Sequence, residues 1–112
     1  MIIIRENKKA RPLAENAFVK VKLLDALANL QRANNPATKL IVKFYFDETY
    51  MSDLMKISWM NAGSVVFRSV SGKAEFQIMF NDIALAEVME SEGPWCVRFT
   101  LKNKTLILIT CL

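Results

Sequence analysis

The segment Trp95–Leu112, WCVRFTLKNKTLILITCL, predicts a β-hairpin whose second strand is apolar on both of its faces. A two-residue turn at Asn103 and Lys104 sets Cys96 opposite Cys111 on one face of this hairpin. A strand that is apolar on both faces needs cover on both sides, from this chain or from a partner. In this register the core face holds Trp95, Val97, Phe99, Leu101, Leu106, Leu108 and Leu112, and the second face holds Ile107, Ile109 and Cys111.

Two other parts of the chain alternate apolar and polar residues as half-buried strands do. Thr38–Asp47 predicts one strand, and Ser64–Val70 with Lys73–Phe80 predicts a hairpin around Ser71-Gly72. Its register places opposite charges across from each other, which supports the alignment. The predicted pairs are Phe67 with Phe76, Val65 with Ile78, and Arg68 with Glu75.

A long helix is predicted over residues 12–33, because Pro12 suits a first helical position and Asn34-Asn35-Pro36 ends the pattern. Its apolar residues form two stripes, whereas an ordinary surface helix has a single stripe. A second stripe needs a second packing partner, which is another part of this chain or another molecule. That stripe consists of Val19, Leu23, Leu27 and Leu30.

Three segments give weaker patterns. Thr49–Asn61 fits a helix or a strand, and the spacing of its Met and Leu residues favours the helix. Asp82 is a suitable cap for a short helix over Ile83–Glu90, and Ile2–Arg5 suits a short strand.

Together these elements predict a single α+β domain over residues 1–112. It comprises a short strand and a basic segment (1–11), the long helix (12–33), and a sheet with one or two short helices (38–112). We expect a mainly antiparallel sheet of about five to six strands, with the long N-terminal helix packed on it.

The composition argues against an enzyme. The chain has no histidine, the commonest general base, and its carboxylates, among them Asp47, Glu48 and Asp53, show no metal-binding spacing. We therefore predict no catalytic residues, no metal and no cofactor.

The first residues lack the charged start of a signal peptide, and no apolar run is long enough to span a membrane, which predicts a cytoplasmic protein. Cys96 and Cys111 are read as small buried apolar residues, with a disulfide as the alternative.

The surplus of apolar surface favours a protein-interaction module, such as a stoichiometric inhibitor, an adaptor or an immunity-type protein. Its partner would be another protein or a second copy of the chain, with a homodimer expected. Tyr45 and Met79 are candidates because their strand parity points away from the predicted core. The predicted partner-binding residues are Val19, Leu23, Leu27, Leu30, Tyr45, Met79, Ile107 and Ile109.

The alternative is a nucleic-acid-binding accessory or regulatory protein. Residues 1–43 hold nine Lys and Arg against three Asp and Glu, so the N-terminal third is basic. No helix-turn-helix or RNA-binding motif accompanies these charges. The candidate phosphate-binding residues are Arg5, Lys8, Lys9, Arg11, Lys20 and Lys22.

Overall fold

A computed structural model describes residues 18–89 and 95–112 of the chain. Within these residues, eight strands and a single α-helix, α1, form one layered structure. A 3-10 turn over Phe80–Asp82 connects the fifth strand to the sixth. In chain order the elements are β1 (Val19–Val21), α1 (Leu23–Arg32), β2 (Leu40–Phe46), β3 (Thr49–Met60), β4 (Ser64–Ser69), β5 (Glu75–Met79), β6 (Ile83–Met89), β7 (Cys96–Leu101) and β8 (Leu106–Cys111).

All eight strands belong to one antiparallel sheet with the order β1-β6-β7-β8-β2-β3-β4-β5. Two local groups of hairpins, β2–β5 and β6–β8, are joined where β8 pairs with β2. Consequently β8 lies near the centre of the sheet, and among the described strands β1 and β5 form the two edges.

The sheet is strongly curled, and its concave face carries the core. Strands β2 and β5 are three positions apart, which is roughly 14 Å in a flat sheet. Nevertheless, the rings of Phe44 on β2 and Phe76 on β5 have centroids only 4.4 Å apart. Helix α1 packs on the same face, where Ala26 and Leu30 are completely buried. The largest fully buried side chains are Phe67, Phe99, Leu30, Leu40, Ile109, Val42, Val65 and Val97.

The predicted α+β fold with a long N-terminal helix on five to six strands is wrong, because the sheet has eight strands and α1 begins only at Leu23. The segment Val19–Val21 is a strand that pairs with β6. Its two valines alternate with Lys20 and Lys22, and this period of two is typical of a strand, although Val19 also fits the predicted helical stripe. The predicted strand over 2–5 and the helical residues 12–17 lie outside the described residues.

Two segments predicted as helices are also strands. Thr49–Met60 forms β3, because a two-residue turn with positive φ at Asp47 folds it back on β2. Ile83–Met89 forms β6, which pairs with β1 and β7. Of these partners only β1 is distant in the sequence, and pairing on both sides within the sheet overrides a weak local preference.

The two predicted hairpins have different outcomes. All three predicted pairs of the β4–β5 hairpin are confirmed. The register of the β7–β8 hairpin is wrong by one residue, because its loop has three residues and Lys104 adopts a φ of 73°. Cys96 therefore faces Thr110 rather than Cys111. The shift exchanges the two faces of β8, so that Ile107, Ile109 and Cys111 join the core and Leu106 and Leu108 lie on the convex face.

Candidate functional site

An apolar cavity of about 270 Å³ opens on the concave face between β5 and the β2–β3 hairpin. Met55, which is almost fully buried, belongs to its lining, whereas Met51 is 61% exposed. The curl of the sheet creates this space, since it brings Phe76 across to Phe44. The complete lining is Phe44, Met51, Ser52, Asp53, Met55, Ala74, Glu75 and Phe76.

Asp53 is the carboxylate that this face presents to the cavity. It lies directly opposite Val42 of β2, a fully buried core residue, so it belongs to the concave face. Its Oδ1 accepts a hydrogen bond of 2.8 Å from the backbone N–H of Leu54. The sequence singles out Asp53 only as one of several carboxylates without metal-binding spacing. The available signal was its alternation with Met51, Met55 and Ile57 along one strand.

A second cavity of about 460 Å³ lies between the α1–β2 connection and strands β3 and β4. Its lining mixes polar and apolar residues and includes Lys56 and Arg68. Arg68 is already engaged, since its Nε and Nη2 donate hydrogen bonds of 3.0 and 2.7 Å to Glu75. This cavity is the larger of the two, but it lacks the combination of an apolar lining and a half-buried charge that distinguishes the Asp53 cavity.

Strand β5 forms an open edge of the sheet. The β4–β5 ladder ends in backbone hydrogen bonds from Ser69 to Ala74 and from Phe80 to Gly63. Because the bonding residues alternate, Phe76 and Ile78 bond to β4, while the N–H and C=O groups of the intervening residues point away from the sheet. No described strand pairs with them on that side. The outward-directed residues are Glu75, Gln77 and Met79.

Exposed apolar side chains flank this edge on the convex face. Trp59 is 44% exposed and lies opposite Val66, and Met79 is 46% exposed and lies opposite Ser64. A register shift between Ile57 and Trp59 turns the tryptophan outward, so a bulge in β3 exposes it. We call Trp59 and the three outward-directed residues of β5 the β5 edge surface.

A partly buried ion pair crosses the convex face between β6 and β7. Arg98 Nε and Nη2 donate hydrogen bonds of 2.8 and 2.9 Å to the two carboxylate oxygens of Glu87. The side chains of Glu87 and Arg98 are only 15% and 12% exposed, and the Phe18 ring lies 4.1 Å from Arg98 Cζ. Charged groups this well satisfied fix the position of neighbouring strands. This cluster is thus a structural element of the convex face.

The two cysteines lie on opposite faces of the sheet. Cys96 is buried on the convex face, where Thr110 Oγ1 donates a hydrogen bond of 3.5 Å to its sulfur. Burial raises the pKa of the Cys96 thiol, and the Thr110 hydrogen bond opposes this rise only in part. Cys111 packs against the concave core, and both thiols are free.

The predicted partner-binding residues do not form one surface. Leu30, Ile107 and Ile109 are buried in the core, and Leu23 and Leu27 pack partly against it. Tyr45 is half-buried, with its ring centroid 4.9 Å from that of Tyr50. Val19 and Met79 are exposed, but they lie on the two opposite edge strands. Met79 therefore remains a candidate partner-binding residue, as part of the β5 edge surface. That surface also includes Gln77, which the sequence analysis did not single out.

The candidate phosphate-binding residues are only partly described. Lys20 and Lys22 are exposed on and next to β1. The other four, Arg5, Lys8, Lys9 and Arg11, lie outside the described residues. In the ranges 18–89 and 95–112, no three His, Cys, Asp or Glu side chains converge where a metal ion could bind.

Two further findings concern membrane spans and similarity to other proteins. None of the helices in the described part of the chain has the length and apolar character that a membrane span needs. Comparison of the chain with models of protein families, with curated proteins and with solved structures found no match.

Proposed function

We propose that the protein is a non-enzymatic protein-interaction module that binds an extended segment of its partner as an additional strand at β5. The observation that carries this proposal is the outward direction of the backbone groups of Glu75, Gln77 and Met79. An added strand satisfies such groups through main-chain hydrogen bonds, and neighbouring side chains supply selectivity. Stoichiometric binding of this kind suits an inhibitor, an adaptor or an immunity-type protein.

The two edges of the sheet differ in how they discourage pairing. β1 has three residues with the exposed Lys20 at its centre, and a short charged edge resists the addition of another strand. β5 has the sequence EFQIM and contains no lysine or proline. Met79 on β5 and Trp59 on β3, the second strand from this edge, are residue types enriched in protein interfaces. These differences favour β5 as the binding edge.

A second copy of the chain is the simplest partner. Two β5 strands related by a two-fold axis at Gln77 pair antiparallel over their whole length, with Glu75 opposite Met79 of the other copy. The two glutamates then lie roughly 14 Å apart, at about 3.4 Å per residue, so they do not repel each other strongly. A five-residue pairing is small compared with stable interfaces of roughly 1,200–2,000 Å², so we expect a weak dimer.

Sedimentation equilibrium over a wide concentration range, up to about 1 mM, tests this proposal. We expect the mass to rise with concentration for the native chain and to stay monomeric for Gln77→Pro. Proline removes the outward N–H, and an edge strand tolerates it at such a position. Gln77→Ala is the matched control. It also loses the hydrogen bond from Gln77 Nε2 to Ser64 Oγ but keeps the backbone donor, so it should still associate.

Two results would contradict the proposal. One is a strictly monomeric native chain at the highest concentration. The other is association of Gln77→Pro as strong as that of Gln77→Ala.

The proposal also places the protein in the cytoplasm, where thiols such as those of Cys96 and Cys111 stay reduced.

A further inference from the structure

We infer that the cavity between β5 and the β2–β3 hairpin is a binding site for an alkylammonium group, with the ammonium at Asp53 and the alkyl chain among the apolar side chains. This site lies on the concave face and shares only Glu75 with the β5 edge surface, and it does not use the outward-directed backbone groups of β5. Strand addition and amine binding are therefore independent properties of the protein.

The size and lining of the cavity indicate a small, largely apolar ligand. A volume of about 270 Å³ is slightly below the roughly 300–1,000 Å³ of pockets that hold drug-sized molecules. Met51 and Met55 are flexible and polarisable, so they can adapt to a linear alkyl chain. The rings of Phe44 and Phe76 provide rigid apolar walls. One short alkyl chain suits this space, whereas a nucleotide-sized ligand does not.

The charge of the cavity selects a cation. Asp53 is half-buried, its Oδ1 accepts the Leu54 N–H, and within the described residues no ion pair involves it. Glu75 at the rim already pairs with Arg68, and none of the lining residues is a lysine or an arginine. A half-buried carboxylate among apolar side chains interacts favourably with a cation and unfavourably with an anion. The lining therefore combines an apolar chain-binding surface with one carboxylate, that of Asp53, which has no ion-pair partner among the described residues.

Three ligands with six-carbon chains separate the contribution of the ligand's charge from that of its alkyl chain: hexylamine, hexan-1-ol and hexanoate. Binding is followed through the methyl resonances of Met51 and Met55, which both line the cavity. We expect hexylamine to bind in the millimolar range and at least tenfold more tightly than hexan-1-ol, and hexanoate not to bind. In Asp53→Asn this tenfold preference should disappear while binding of the alcohol is unchanged.

Two variants test whether the Asp53 carboxylate itself causes the preference for the amine. Asparagine keeps an oxygen that can accept the Leu54 N–H, so Asp53→Asn should fold normally, which its NMR spectrum will show. Asp47→Asn, in the exposed β2–β3 turn, is the matched control for loss of one negative charge and should keep the preference for the amine. The inference is overturned when the native chain binds amine and alcohol equally, when Asp53→Asn retains the preference, or when no ligand moves the methionine resonances.

The ammonium group can belong to a free amine or to a lysine side chain. A second titration uses an extended peptide with one lysine between small residues. Competition between this peptide and hexylamine identifies a lysine as a ligand, whereas binding of hexylamine alone identifies a free amine. Gln77→Pro should retain amine binding, so failure of strand addition and failure of the cavity site are distinguishable.

Discussion

Phe44 on β2 and Phe76 on β5 pack edge to face with their ring centroids 4.4 Å apart, although β3 and β4 lie between their strands. Phe67 of β4 stacks on Phe76 at 5.0 Å. Since the contact between Phe44 and Phe76 joins strands that are not neighbours, it stabilises the curvature of the sheet. The three rings thereby maintain the shape of the Asp53 cavity.

Replacing Phe76 by alanine should destabilise the protein by about 2 to 3 kcal/mol. This is somewhat less than the roughly 3–5 kcal/mol typical of fully buried phenylalanines, because Phe76 is half-buried. Urea unfolding measures the free energy of unfolding. Phe46→Ala is the matched control, since Phe46 is 53% exposed and its loss should cost less than about 0.5 kcal/mol. Equal costs for the two variants would show that the ring cluster does not stabilise the curl.

Removing one partner of the Arg98–Glu87 pair should be far more costly than removing one partner of the Arg68–Glu75 pair. The first pair is 12% and 15% exposed and the second is 59% and 49% exposed. We expect Glu87→Ala to lower the free energy of unfolding by about 2 to 3 kcal/mol, since Arg98 keeps a buried charge without its carboxylate. Glu75→Ala should cost less than about 1 kcal/mol, because water screens the exposed pair.

The double variant Arg98→Met/Glu87→Leu separates two effects on stability, the cost of a buried charge and the loss of side-chain packing. Apolar residues of similar size leave no unpaired charge, so the double variant should recover most of the stability that Glu87→Ala loses. Thermal unfolding of the three proteins at the same pH measures this. A double variant as unstable as Glu87→Ala would mean that packing around Arg98, including that of Phe18, dominates.

The raised pKa of the Cys96 thiol predicts a loss of stability at alkaline pH. The thiol of the unfolded chain ionises near the ordinary value of 9.0, whereas the folded chain keeps its proton to higher pH. The contribution of this thiol is therefore fully present below 9.0 and is lost as pH rises above it towards the folded-state pKa. Urea unfolding at a series of pH values checks this, and Cys96→Ala should flatten that part of the profile. If the free energy of unfolding of Cys96→Ala fell with pH as steeply as that of the native chain, the Cys96 thiol would not be the cause of the loss.

The two thiols should not form an intramolecular disulfide in the native protein. Cys96 and Cys111 are on opposite faces of the sheet, and Cys96 faces Thr110. After mild oxidation and unfolding, thiol titration should still find both cysteines free. In the folded protein the half-buried Cys111 should react with a thiol reagent sooner than the buried Cys96. Faster reaction at Cys96 would show that the convex face opens readily.

Lys104→Gly should stabilise the β7–β8 hairpin by about 0.5 to 1 kcal/mol, because a φ of 73° is unfavourable for a residue with a Cβ. Lys102→Gly in the same loop is the control. The structure shows no positive φ there, so this glycine should destabilise slightly through the unfolded chain. Thermal unfolding of both variants measures the difference in stability. Stabilisation by Lys102→Gly but not by Lys104→Gly would contradict the three-residue loop.

Local signals predicted one hairpin correctly. In β4–β5 the turn residue Gly72 has a φ of 78°, and the charges of Arg68 and Glu75 fix the register. In β7–β8 the turn contains no glycine, and Lys104 takes the left-handed conformation instead. Nothing in the local sequence distinguishes a two-residue loop from a three-residue loop there. A difference of one residue then assigned every side chain of β8 to the wrong face.

Pairing within the sheet explains the other differences. β3 and β6 have mixed local patterns, and each becomes a strand because it pairs on both sides within the sheet. The position of Asp53 on the concave face depends on the β2–β3 register, and the β5 edge depends on the order of all eight strands. The residue types of both candidate sites are visible in the sequence, but their arrangement requires the complete sheet.

The place of β8 in the sheet has a consequence for folding. β8 contains residues 106–111, yet it lies between β7 and β2 and is the only link among the described strands between the two halves of the sheet. During synthesis the hairpins β2–β5 can form early, but they cannot join β6 and β7 until β8 has left the ribosome. Closing this long-range pairing should be the slow step of folding. Until then the unsatisfied edge of β2 is exposed, and the nascent chain is most vulnerable to aggregation.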